Sequence, residues 1–158
     1  MKAFRPVLAR AAASPLWVLA LTVLADAALL LVNRTVYAGV ISMQVPQLLV
    51  VLSACWCIFT LRLDLEARGY RVFRVLLPLV LSAAAAVVFV CARPAYSVAR
   101  ATQTAERTGV SVRSVHAMDM TPGSFFVKKG YVLTGADAAG EVSVFFDPRT
   151  GENWRMRG

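Results

Sequence analysis

Three apolar runs, over residues 15–32, 36–61 and 72–92, are parted by short segments that carry arginine. A run of about 20 apolar residues is what a helix needs to cross the hydrocarbon core of a bilayer. Inside lipid every backbone N–H and C=O must be bonded within its own segment, so a run of this kind forms a helix. The composition agrees. The chain of 158 residues is 58% hydrophobic with a mean hydropathy of +0.63, too apolar for an ordinary soluble domain. Ser14 as N-cap and Pro15 as first helical residue mark the start of the first span. Beyond Arg93, charge, glycine and turn residues return, and a second domain begins. The expected fold class is therefore a membrane protein: a cytoplasmic N-terminus (1–14), three transmembrane helices (15–92) and a small α+β domain outside the cytoplasm (93–158).

Orientation follows from where the basic residues stand. Lys2, Arg5 and Arg10 precede the first run, and Arg34 stands alone in the first loop, Asn33-Arg34-Thr35. Arg62, Arg68, Arg71 and Arg74 cluster before the third run, against Asp64 and Glu66. Basic residues favour the cytoplasmic side, so the N-terminus and second loop are expected inside, the first loop and the tail outside. Trp17 and Tyr37 fall at the expected interfaces. The net charge of +8 and pI near 10.1 thus read as topology rather than as a nucleic-acid surface. A competing reading takes Leu16–Leu24 as a signal-peptide core, cut at the small-x-small triplet Ala25-Asp26-Ala27. The apolar sequence Leu29–Val32 beyond the triplet favours a retained span.

Asp26 is the acid inside that span. On insertion scales a central carboxylate costs about 2.5–3.5 kcal/mol, while ten Leu and Val residues return roughly 3–6 kcal/mol. Insertion is favourable by a thin margin, and the acid calls for a partner. Counting about 1.5 Å per residue from each helix end places Gln44 at its depth, with Gln47 one turn deeper and Ser82 of the third span near that level. Pro46, which cannot donate to the carbonyl of Ser42, leaves a further acceptor nearby. Asp26, Gln44, Gln47 and Ser82 form the expected intramembrane polar cluster, for helix packing or for docking a partner. A lone acid is thin support for a transport pathway.

The tail reads as a helix over 94–108 followed by strands over 110–120, 124–135 and 141–147. Turns are expected at 135–140 and at Asp147-Pro148-Arg149-Thr150-Gly151, where Asp147, Pro148 and Gly151 are turn formers. His116, Met118 and Met120 share a strand face, expected to pack on the helix rather than to bind copper. Lys128, Lys129, Arg149, Arg155 and Arg157 tint the tail basic. Cys55, Cys57 and Cys91 read as apolar fillers. A single histidine excludes a bis-histidine haem within the chain. No cofactor, metal, nucleic acid or small-molecule substrate is expected, and no nucleophile–base pair or acid pair points to an enzyme.

The segments "TGVSVRSV" and "GYVLTGADAAGEVSVFFDPRTGE" together resemble the PepSY domain. The matching positions are Tyr131, Asp137, Gly140, Val144, Asp147, Thr150, Gly151 and Glu152, within residues 95–155. Phe146 before Asp147 and the polar Asn153-Trp154 depart from that family's pattern. The resemblance implies an inhibitory, regulatory or protein-binding module held at a bacterial inner membrane, facing the periplasm or exterior. Its expected partners are lipid and another membrane or exported protein. An accessory subunit of a transport or secretion complex, docked through Asp26 and the second helix, and an immunity protein against an exported toxin are the alternatives.

Overall fold

The computed structural model describes residues 15–61, 68–120 and 124–156. Lys2, Arg5, Arg10, Ser14, Arg62 and Arg157 lie outside the described residues, as do the side chains of Arg68 and Arg71. Three long helices come first: α1 (Pro15–Val36), α2 (Gln44–Leu61) and α3 (Arg68–Ala92). Each is long and apolar enough to cross a membrane. A short helix, α4 (Val98–Arg107), precedes four strands: β1 (Ser111–Asp119), β2 (Lys129–Asp137), β3 (Gly140–Phe146) and β4 (Asn153–Met156). The strands form one antiparallel sheet in the order β1-β2-β3-β4.

The chain divides into two compact units. The first holds α1 up to Leu29, α2 and α3 up to Val90. Its inner residues are small or hydroxylic: Thr22 in α1, Ser53, Cys57 and Thr60 in α2, and Pro78 and Ala85 in α3 are all buried. In α2 the buried positions 46, 50, 53, 57 and 60 alternate steps of four and three, a single helical stripe. Large side chains face outward instead, and Leu24, Phe59, Val72 and Val87 are each more than half exposed. Helices pack this way in lipid, where close backbone approach replaces hydrophobic burial as the driving force. In water the same exterior would be a continuous apolar patch.

The second unit is discontinuous in sequence, combining residues 30–43 with 91–158. Ser97 caps α4, its Oγ accepting from the Arg100 amide, and Gly109, at φ 87°, turns the chain into β1. Ala101 and Ala105 let α4 lie close on the sheet. There they meet Tyr131 and Leu133 of β2 and Val144 and Phe146 of β3, alternate residues that share one face. Tyr131 donates to the Tyr96 carbonyl at 3.1 Å. Burial holds its phenol well above the ordinary value of 10, with the nearby Tyr37 adding to the shift, so it stays a donor. Gly151 sits at φ +80° against the Tyr96 ring, where a Cβ would come within 2.6 Å.

Two expected boundaries are corrected. The first span continues through Asn33-Arg34-Thr35 to Val36, and the second begins at Gln44 rather than Val36. Asn33 explains both shifts. Its Nδ2 donates to the Ile41 carbonyl at 2.9 Å, and its Oδ1 accepts from the Ile41 amide at 3.2 Å. Its own carbonyl accepts from the amides of Tyr37 and Gly39. The loop is thereby folded back on the helix end, with Ala38 and Gly39 at positive φ. Val40 enters the sheet core, and Ile41 bridges Val127 as a one-residue strand partner. These apolar residues fill a domain core, not lipid. A fourth strand, β4, follows the Asp147 turn where none was expected.

Replacing Asn33 with Ala leaves both Ile41 backbone groups buried without partners. We expect a loss of about 1–3 kcal/mol, with amide exchange accelerated first at residues 37–43, read by thermal unfolding and hydrogen exchange of the full chain.

Candidate functional site

Polar groups meet in each unit separately. In the first unit the centre is Ser53, fully buried in α2. Its hydroxyl donates to the Pro78 carbonyl at 3.1 Å. Thr22 Oγ1 of α1 lies 3.2 Å from Ser53 Oγ and 3.1 Å from Ser82 Oγ of α3, and the two serine oxygens are 3.4 Å apart. Three helices thus share one hydroxyl network, held at a proline that distorts the α3 ladder. Beside it an apolar groove of about 300 Å³ is lined by Leu21, Ala25, Leu79, Ala83 and Ala86, with Thr22 and Ser82 at its wall.

Of the expected intramembrane cluster, only Ser82 takes part in this network. Asp26 lies one turn beyond Thr22 on the same side of α1, and its Oδ1 is buried without a hydrogen-bond partner among the described residues. Gln44 and Gln47 are exposed, and among the described residues no hydrogen bond joins either to Asp26. Gln44 opens α2, whereas matching its depth to Asp26 requires a helix that starts near Tyr37. Pro46 likewise falls in the first turn of α2, where a missing amide donor frees no carbonyl, and Ser42, in the second unit, donates its amide to the Phe126 carbonyl of that same unit. Thr22 and Ser53 were not singled out, since isolated hydroxyls in an apolar run carry little signal. Their clue is the i, i+4 spacing of Thr22 and Asp26. Arg74 stands near the N-terminal end of α3 with its Nε buried and unpartnered among the described residues, close to where Trp56 meets Phe73 edge-on at 5.4 Å.

In the second unit the sheet has one covered face and one open face. His116 and Met118 point away from the core, while Val112, Val115 and Ala117 of the same strand pack into it. The expected packing of the His/Met face on the helix is corrected. A register shift between Val112 and Ser114 resets the alternation, and Met120, beyond the strand, joins the core instead. The open face carries an aromatic floor. Phe145 of β3 and Trp154 of β4 are register partners with ring centroids 5.7 Å apart, and Phe145 lies across Gly130, where any Cβ would collide with its ring. Met118, Trp154 and Met156 are 48%, 50% and 38% exposed.

At one end of this face a groove of about 510 Å³ is lined by Phe145, Trp154, Asp119, Glu152, Thr150 and Arg149. The Asp147 turn forms its wall. Asp147 Oδ1 accepts from the Arg149 amide at 2.8 Å, and Oδ2 pairs with Arg149 Nη2 at 3.2 Å. Burial pushes the Asp147 carboxyl up, but the Arg149 hydrogen bonds and charge outweigh it, and the net shift is downward. Pro148 accepts from the Tyr96 amide, and Gly151 closes the turn by donating to the Asp147 carbonyl at 2.9 Å. Asp147, Pro148 and Gly151 therefore come together as the β3–β4 connection. Among the described residues no group of three His, Cys, Asp or Glu side chains is placed to hold a metal ion. Comparison with protein-family models, curated proteins and solved structures gave no match.

Two outcomes follow. Asp147→Asn should be less stable than wild type at neutral pH. Because the folded carboxyl is held below its ordinary 3.8, that advantage is present above pH 3.8 and closes as pH falls through the lowered value, which thermal melts against pH will show. Asp26→Leu should melt no lower than wild type in detergent, since a buried unpartnered oxygen costs about 1–3 kcal/mol. A clear drop in melting temperature would mean that Asp26 holds the bundle together.

Proposed function

We propose that this chain is a membrane-anchored, non-enzymatic protein-binding module. Three helices hold the sheet domain at a bacterial inner membrane, on the periplasmic or outer side, and the open sheet face engages an exported or membrane protein. The observation that carries this reading is the Phe145–Trp154 pair, an aromatic floor beside a groove with Trp154 half exposed. Aromatic anchors of this kind dominate interface energetics. Asp119 and Glu152 on the groove rim favour a partner segment with a basic residue beside an apolar one. The PepSY resemblance of residues 95–155 supports an inhibitory or regulatory use of that contact, and an immunity protein against an exported toxin would use the same face. The orientation rests on the arginine distribution. It agrees with the packing of residues 37–43 into the tail unit, because the two must share one side of any membrane that the helices cross.

A second reading has its own observation. The buried, unpartnered Oδ1 of Asp26 and the small-residue groove on α1 and α3 suit docking of another protein's membrane helix, as an accessory subunit would require.

The test is copurification of the full chain from its native membranes in mild detergent. Trp154→Ala with Phe145→Ala should lower partner recovery roughly tenfold or more, as loss of an interface anchor does, while Asp26→Leu leaves it unchanged. The reverse pattern would replace the sheet-face reading with the accessory-subunit reading.

A further inference from the structure

A cleft in the second unit, separate from the sheet face, has a different character. Its volume is about 450 Å³, and it is bounded by Val36 and Tyr37 at the end of α1, by Arg93 and Pro94 after α3, and by the α4 cap Ser97 and Arg100 in the first turn of α4. Two arginines, Arg93 and Arg100, line it. The second unit pairs three other arginines with carboxylates: Arg113 with Glu141, Arg149 with Asp147 and Arg155 with Asp137. Arg93 and Arg100 have no carboxylate within ion-pair distance among the described residues. Arg100 Nη1 makes one long bond to the Ala95 carbonyl, at 3.4 Å. Two like charges line one concave surface with nothing to neutralise them, which calls for an anion from outside the chain.

The position in the chain says which anion. Val36 is the last residue of α1, and Arg93 directly follows α3. Both are ends of helices long and apolar enough to cross a membrane. At such ends the chain passes through the layer that holds lipid phosphates, and tyrosine and arginine are the residues that favour that layer. Guanidinium groups bind phosphate oxygens in pairs, through two N–H donors each. We infer that the Arg93–Arg100 cleft binds the phosphate of an anionic lipid headgroup. Tyr37 also lines the cleft, and the positive end of the α4 dipole has the matching sign. The bound phosphate neutralises the arginine pair and holds the sheet domain to the membrane surface independently of the sheet-face contact. This inference rests on the proposal that the helices are inserted.

The experiment is native mass spectrometry of the full chain in detergent, titrated with phosphatidylglycerol or with phosphatidylcholine. Wild type should retain phosphatidylglycerol roughly tenfold more strongly, and Arg93→Gln with Arg100→Gln should lose that preference. Arg107→Gln, on the same helix outside the cleft, should keep it. Equal retention of the two lipids by wild type, or an unchanged preference in the double variant, overturns the assignment. If millimolar inorganic phosphate displaces phosphatidylglycerol, the cleft takes a soluble anion and the lipid assignment falls. Carbonate extraction of the same membranes separates the two levels. A chain released by carbonate fails the insertion reading and this one together, whereas a chain that resists carbonate but ignores the headgroup overturns this inference alone.

Discussion

The side chain of Asn33 binds both backbone groups of Ile41, and much of the architecture depends on that pair of hydrogen bonds. One amide side chain supplies a donor and an acceptor together, as a neighbouring strand would. It turns the exit of α1 back on itself and presents Val40 to the sheet core and Ile41 to Val127. The second unit therefore closes around two separate stretches of chain. The α2–α3 hairpin leaves that unit at Met43 and returns to it at Cys91. The core of that unit thus depends on the first loop, through Val40, as well as on the tail.

This junction also shows where sequence reasoning succeeds and where it runs out. That three helices are long and apolar enough to cross a membrane is legible because length and hydropathy suffice to specify them. The helix and three of the strands in the tail were legible from small-residue spacing, alternation and turn formers. The α1–α2 boundary was not. Val36, Val40 and Ile41 are apolar, and apolarity does not distinguish a residue bound for lipid from one bound for a sheet core. Asn33, Arg34 and Thr35 looked like a loop because they are polar. In the fold Thr35 satisfies its hydroxyl on the Leu31 carbonyl within the helix, and Asn33 satisfies its amide on the loop. β4 was missed because all four of its side chains are exposed, so an edge strand of this kind leaves no alternation to read.

The intramembrane cluster fails and succeeds for related reasons. Gln44 and Gln47 carry the largest polar groups near the expected depth of Asp26. Both stand in the first turns of α2 and are exposed. The contacts that form use the smallest polar groups instead. A hydroxyl lets backbones approach closely and can return its proton to a carbonyl of its own or a neighbouring helix, so Thr22, Ser53 and Ser82 fit where a glutamine amide would not. Interhelical bonds of this class contribute only about 0.6 kcal/mol each on average, so their effect is to fix the rotation of the helices more than to supply stability.

That distinction sharpens the meaning of Asp26. With the hydroxyl network already fixing how α1, α2 and α3 meet, packing does not require the carboxyl. Its Oδ1 is nonetheless buried and unpartnered among the described residues, the arrangement that folding alone disfavours. A buried, unpartnered oxygen that the hydroxyl contacts do not use is the feature on which the proposed docking of a partner's helix rests. The open sheet face poses the same question on the other unit, where Trp154 and Met118 expose apolar area that the domain's own core does not use. Neither feature is satisfied by the remainder of the described chain.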